Sequence, residues 1–351
     1  MKCSSCGGTM RYDVASYGCV CDFCGFTKKL HRPEEGVAVG EFDFNSALGR
    51  ASSDWGITQR LVTCKQCGAV MLYDSDQMSG MCPFCGSAIV LTEQETLGIA
   101  PSAIIPFSVT KEQVAENFYK WNKFAFWSPE SFRKGKVLGN LTGVYIPYWT
   151  FDTNTVTTYS GRFGYTTTTS DGGTNTRWSD RGGIVEMFMN DVCICASRKF
   201  LNDKMLNGVA KFDAKELIPY TPEALTGFAA EKYTVGINEA FNYLKNGAIR
   251  NNIEYAARKN ESADCYQKLQ LSTEYSDVKY KLVLVPMWLT ACVYRGQVYN
   301  VAASGHSNRG NCNRPVSILK IVLLILIILG IFGAPFIFYI IMMIARIIGA
   351  G

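Results

Sequence analysis

The sequence predicts an α+β protein with two N-terminal zinc ribbons, a largely antiparallel β body with helices, and one C-terminal transmembrane helix. Three observations predict it. Eight of the 14 cysteines form two copies of C-x₂-C-x₁₄-C-x₂-C. The middle of the chain alternates β-branched and aromatic residues with polar ones. From Ile321 to Ala345 there is no charged residue.

The first cysteine copy is Cys3, Cys6, Cys21 and Cys24; the second, Cys64, Cys67, Cys82 and Cys85, lies 61 residues later. The match extends to Gly7/Gly68, Met10/Met71, Tyr12/Tyr73, Asp13/Asp74, Phe23/Phe84 and Gly25/Gly86. Each C-x₂-C turn presents two thiolates to one ion, and two turns complete a tetrahedron. The glycine after the second cysteine of each turn tolerates the positive φ such knuckles need. A disulfide framework or an iron centre are the alternatives. Four protein ligands leave no open position for water, so two structural Zn²⁺ ions are expected and no metal catalysis. The ribbons are assigned to residues 1–30 and 61–92, with a linker at 31–60. In that linker Phe42 to Arg50 reads as a short helix.

Residues 93–306 form the body. Thr110 caps a helix predicted over Lys111 to Trp127, with Val114, Phe118, Trp121 and Phe124/Ala125 on one face. Val144 to Asp152 reads as a strand, with Pro147 at an edge or bulge. The Thr-rich run from Asp152 to Thr176 and the segment Ile184 to Ala196 read as strands of an antiparallel meander. Pro222 sits in the first turn of a helix opened by Thr221. A longer helix is expected over Ile237 to Ala257. Strands follow at Tyr266–Tyr275, Tyr280–Val293 and Val298–Ala302, the last two joined by a turn at Arg295-Gly296. Val144-Tyr-Ile-Pro-Tyr-Trp149 parallels Val283-Leu-Val-Pro-Met-Trp288. Trp149 and Trp288 either line a ligand groove or plug the core, and aromatic strand positions favour packing.

Catalytic constellations are missing from the sequence, which predicts a protein that is not an enzyme. The two histidines, His31 and His306, lie in polar loops and read as surface residues. No phosphate-binding loop, G-x-S-x-G or H-E-x-x-H pattern occurs. Cys193 and Cys195 read as inert strand packing, and Cys312 is a juxtamembrane candidate for acylation.

Residues 307–320 read as a basic juxtamembrane linker, 321–345 as the span and 346–351 as a short tail. Twenty-five apolar residues suffice to cross a bilayer, for which about 20 are needed. Arg309, Arg314 and Lys320 precede the span and Arg346 alone follows it, so positive-inside logic places the bulk of the chain in the cytoplasm, on the cell membrane as a single-pass protein. Thiolate metal sites suit the same reducing compartment. No signal-peptide pattern opens the sequence.

Net charge is +5. The first ribbon carries Lys2, Arg11, Lys28 and Lys29 against Asp13 and Asp22; the second carries Lys65 against Asp74 and Asp76. A phosphate-gripping surface wants a denser basic patch. A membrane-tethered nucleic-acid-binding or regulatory protein is therefore the alternative reading, behind a protein-docking scaffold.

Taken together, the paired ribbons, Ile146-Pro-Tyr-Trp-Thr-Phe-Asp152, Val285-Pro-Met-Trp288, Tyr294-Arg-Gly-Gln-Val-Tyr299 and the terminal apolar run resemble a bacterial family described as TFIIB-type zinc ribbon-containing proteins, sometimes labelled PriA-like helicases. The sequence has no helicase motor motifs. Within that family it is similar to the zinc-ribbon membrane proteins of Gram-positive envelope-stress operons. The resemblance implies a membrane adaptor that recruits an SPFH-domain (flotillin-like) partner, with a PspA-like protein nearby. It supplies no catalytic residues.

Overall fold

The computed structural model describes residues 2–32, 36–37, 39–47, 59–74, 79–85, 87–90, 98–123, 125–133, 141–200, 204–294, 297–333 and 340–343. The first ribbon holds β1 (Met10–Asp13), β2 (Gly18–Cys21) and β3 (Thr27–Lys29) in one antiparallel sheet. In the linker, β4 (Phe42–Asp43) leads into a 3₁₀ turn at Phe44–Ala47. The helix expected at Phe42 to Arg50 is thus a short strand and turn, and residues 48–50 lie outside the described residues. The second ribbon carries β5 (Gln59–Thr63), β6 (Val70–Asp74), β7 (Ser79–Met81) and β8 (Ala88–Val90).

The body begins with β9 (Ala103–Ile104), α1 (Lys111–Asn122) and α2 (Glu130–Arg133). Thr110 and Gln113 form a reciprocal capping box at the start of α1. The helix stops five residues before its predicted end at Trp127. Asn122 causes this. Its buried amide donates back to the Phe118 carbonyl at 2.9 Å, and its Oδ1 accepts from Arg314 at 3.0 Å.

Two strands follow, β10 (Thr142–Thr168) and β11 (Thr174–Cys195), then α3 (Lys204–Val209), β12 (Ile218–Pro219) and β13 (Ala229–Glu231). The helix predicted at Thr221 is a single 3₁₀ turn, Pro222–Leu225. The helix predicted over Ile237 to Ala257 is two, α4 (Ile237–Asn246) and α5 (Ala248–Asn260). They break at Gly247, whose ψ of −104° no helix accommodates. The chain ends in β14 (Cys265–Tyr294), β15 (Gln297–Ser304), β16 (Gly310–Cys312) and α6 (Ile318–Ile328).

Among the described residues, eleven strands join one sheet, in the order β12-β9-β14-β10-β13-β6-β5, with β11, β15, β16 and β4 attached to its sides. Its spine is the antiparallel pair β10–β14, in which Ile146 faces Val285. Around that pair the body repeats itself. The outer edge of β10 meets parallel β13 at Val144 and then antiparallel β11 from Tyr148. The outer edge of β14 meets parallel β9 at Val283 and then antiparallel β15 from Met287. Each Pro-x-Trp strand thus occupies the same place in its own half.

Period-two alternation on the spine feeds two cores on opposite faces. Val144, Ile146, Tyr148, Val283, Val285 and Met287 pack with Cys64, Cys82 and Phe84 of the second ribbon. Tyr145, Leu284 and Trp288 pack with Cys3, Met10 and Tyr12 of the first. The second ribbon goes further: β6 pairs with β13 and so belongs to the body sheet. The ribbons are therefore distinct in sequence but share their cores with the body.

Beyond the spine, β10, β11 and β14 continue as a long three-stranded arm, one face of which is covered by α4 and α5. The two strands expected before Val293 merge into β14 because bulges absorb the irregularity. Asp277 and Lys268 are the extra residues on β14, and Asp191 is the extra residue on β11, each in left-handed conformation at φ of 49–50°. At the far end, Tyr159 donates to Glu261 at 2.7 Å and accepts from Asn260 at 2.8 Å, clipping α5 to the arm.

Near the junction of arm and body, Lys281 is buried among acids. Its ammonium lies 2.6 Å from Asp191 and 3.1 Å from Glu41. Burial first, and then the neighbouring Glu41, pushes the carboxyl of Asp152 up to about 6.

The foot of α6 is tied to the body. Arg309 donates to the Lys211 carbonyl at 2.7 Å, and Arg314 to the Asn122 side chain and, at 3.4 Å, to the Trp121 carbonyl. Lys320 donates to the carbonyls of Phe126 (2.6 Å) and Ser128 (2.9 Å), and the Ser317 amide to Trp127 (2.8 Å). The three cations expected to flank a membrane are thus engaged with the body. From Ser317, α6 runs with no buried residue into a π-helical turn at Leu329–Gly333. Residues 334–339 and 344–345 of the predicted span lie outside the described residues. Among the described residues, no helix is long and apolar enough to cross a membrane.

Candidate metal centres

The sequence places its thiols in pairs of knuckles, and the fold closes each pair around one point. The knuckles turn on backbone hydrogen bonds: Gly7 N–H to Cys3 O (2.9 Å), Gly25 N–H to Cys21 O (3.0 Å) and Gly68 N–H to Cys64 O (2.8 Å). All three glycines sit at φ +72°, which L side chains rarely adopt. Gly86, at the fourth knuckle, lies outside the described residues.

In the first ribbon Cys3 and Cys24 stand 3.7 Å apart and Cys6 and Cys21 3.4 Å. In the second, Cys64 and Cys85 stand 3.6 Å apart and Cys67 and Cys82 3.7 Å. Within each group all ligand atoms lie within 4.8 Å of one another. A tetrahedral ion with metal–sulfur bonds of about 2.3 Å requires sulfurs about 3.8 Å apart. Each group can hold one metal ion, and the spacing is consistent with zinc. The thiols of each group are pushed in both directions. Against the Gly8 amide, which lowers it, the Cys24 and Cys21 thiols push Cys6 up to about 12, and burial raises Cys67 and Cys82. One thiol of each group is held down. Amide N–H groups, that of Cys24 before that of Phe23, hold the Cys21 thiol down at about 7. Against burial, which raises it, the Ser87 hydroxyl and the amides of Cys67 and Gln66 bring Cys64 down to about 6.

The two tryptophans do not line a groove. Trp149 is 0% exposed and Trp288 9%. The indole N–H of each is spent on a backbone carbonyl, Val235 for Trp149 at 2.9 Å and Val109 for Trp288 at 2.8 Å. His306, expected at the surface, has a side chain only 4% exposed, 2.9 Å from Glu216. Its loop folds inward because Ser108 and Val109 donate to the carbonyl of neighbouring Gly305.

Sequence reasoning missed the groups that meet the second centre from the body. Lys199 donates to the Cys67 sulfur at 3.1 Å and lies over the rings of Phe84 and Phe200. Close by, Glu231 is buried and accepts from the Ser197 hydroxyl at 2.6 Å. Burial drives its carboxyl up to about 8. No local pattern marks these residues, because their partners lie far away in sequence.

No family model matches the chain, and no solved structure matches it. Among curated proteins it is similar to YdjG of Bacillus subtilis (strain 168), described as an uncharacterized protein: 24% identical over 323 residues, covering 90% of each chain.

Proposed function

We propose that this chain is a membrane-anchored adaptor, with its bulk in the cytoplasm, that uses ribbons stabilised by two structural zinc ions to recruit a protein partner. The partner suggested by the sequence resemblance is an SPFH-domain protein, with a PspA-like protein as a further component and envelope stress as the setting. The observation that supports the anchor is α6, which has no buried residue and from Ile321 onward is wholly apolar, opening an uncharged run of membrane-crossing length. The closed four-thiol sites favour a scaffold, because they leave no position for a reacting group. The nucleic-acid alternative loses cations it would need, since Arg11 is paired with Asp22 and Lys28 with Glu223.

The test is membrane fractionation of the full chain and of a truncation lacking residues 321–351, with a fluorescent SPFH-domain partner expressed beside each. The full chain should resist carbonate extraction and concentrate the partner at the membrane; the truncation should do neither. Extraction of the full chain by carbonate would end the anchor reading. A partner distribution that ignores the anchor would end the adaptor reading.

A further inference from the structure

The two ribbons are copies, yet their knuckles are not covered alike. Cys67 and Phe84 in the second ribbon correspond to Cys6 and Phe23 in the first, each 61 residues earlier. Phe84 is 4% exposed, and its ring packs on Phe200 with centroids 4.9 Å apart. The Lys199 ammonium sits 4.6 Å from the Phe84 centroid while donating to Cys67. An ammonium therefore answers the charge of the thiolates, and an aromatic pair shuts out water beside it.

Phe23 is 79% exposed. Cys6 and Cys24 are exposed where Cys67 and Cys85 are half-buried. The first ribbon docks on the body by another side. There Tyr12 donates to the Phe107 carbonyl at 2.9 Å, Cys19 to the Glu223 carbonyl at 3.1 Å and Lys28 to the Glu223 carboxylate at 2.6 Å. The Phe23 ring is nonetheless seated: it lies so close over Gly8 that a Cβ there would meet it at 2.5 Å. At the equivalent position the second ribbon has Ala69, whose Cβ denies Phe84 that seat. The first ribbon thus holds its aromatic ring on its own outer surface, while the second gives its ring to the body.

We propose that the outward face of the first ribbon, Cys6 of one knuckle with Phe23 of the other, is the docking site for a partner protein presenting a lysine beside an aromatic side chain. That is the pair Lys199 and Phe200 present to the equivalent face of the second ribbon. The proposal rests on the adaptor reading and names its surface. Four thiolates around a divalent ion carry a net charge of about −2, which draws an ammonium and repels phosphate. A second copy of this chain cannot dock with the same pair, because its Lys199 and Phe200 are engaged by its own Phe84. Phe26, three residues further along the chain, is also exposed.

The test places the photo-crosslinking residue p-benzoylphenylalanine at position 23 of the full chain in its native membranes, with the same residue at exposed Tyr243 as a control. Irradiation at position 23 should give one discrete protein adduct that the control lacks. Peptide mapping should put the crosslink within a few residues of a lysine flanked by an aromatic residue. Phe23→Ser in the otherwise native chain should then cut co-purification of that protein at least about tenfold, a change equivalent to about 1.4 kcal/mol. An adduct to nucleic acid, to a second copy, or to a segment lacking the lysine–aromatic pair overturns the proposal, as does undiminished co-purification by the Phe23→Ser chain. If no adduct forms while a partner still co-purifies, this surface fails and the adaptor reading stands. If nothing co-purifies at all, both fail.

Discussion

Trp149 donates its indole N–H to the carbonyl oxygen of Val235 at 2.9 Å, on the last residue before the cap of α4. Trp288 makes the corresponding bond to Val109, the last residue before the cap of α1. In each half of the body, one tryptophan therefore fixes where the strand leading into a helix lies against the spine. Trp149→Phe keeps most of the buried ring but leaves the Val235 carbonyl without its donor, at a cost of about 1–3 kcal/mol. Urea unfolding of the full chain in detergent should show the lower midpoint, and an unchanged midpoint would remove the bond from the account of stability.

Lys281 holds Glu41 and Asp191 together near the root of the arm. Lys281→Met keeps the stem and removes the charge that faces the partly exposed Asp191 and Glu41, leaving Glu41 with Lys279 at 3.7 Å. The expected loss is about 1.5–3 kcal/mol, the range for hydrogen bonds to charged groups, because both acids keep access to water. Thermal unfolding followed by circular dichroism reads it directly. A variant as stable as the parent would mean that water screens the cluster.

Burial raises the Glu231 carboxyl from 4.5 to about 8. The folded state thus keeps a proton that the unfolded chain releases. Between about pH 4.5 and about pH 8 the native state binds more protons, so stability falls as pH rises, by at most about 1.4 kcal/mol per unit for one group. Glu231→Gln removes this group's contribution. Comparing the two melting profiles across that window should show a shallower decline in the variant; parallel profiles would contradict the assignment.

Metal loss should reach the body unequally. The second ribbon shares the body sheet through β6 and β13, whereas the first rests on it through the β1–β2 hairpin. In Cys64→Ser/Cys67→Ser, hydrogen exchange should accelerate at Ala229–Glu231 and along the adjoining part of β10. In Cys3→Ser/Cys6→Ser those amides should keep their protection. Elemental analysis of the parent should find two zinc ions per chain.

What the sequence revealed follows from how local each signal is. The eight cysteines and the knuckle glycines are read from short spacings, and the structure brings the two groups of four together. The Pro-x-Trp repeat was visible for the same reason. Lys199, Glu231 and Lys281 were not, because their environments are assembled from segments far apart in the chain. Gly247 was overlooked as a break because the apolar spacing continues across it. The contrast between Phe23 and Phe84 is the sharpest case: the repeat aligns them, and only the body decides which one is covered.

The stretch from Arg309 to Lys320, read from its sequence as a linker, is fastened to the body by Arg309, Arg314, Ser317 and Lys320. A leash would let the helix swivel and would absorb any load in slack. Its foot is instead pinned to the end of α1 and to the carbonyls of Phe126, Trp127 and Ser128, so the direction in which the helix leaves the body is set by the body and not by slack chain.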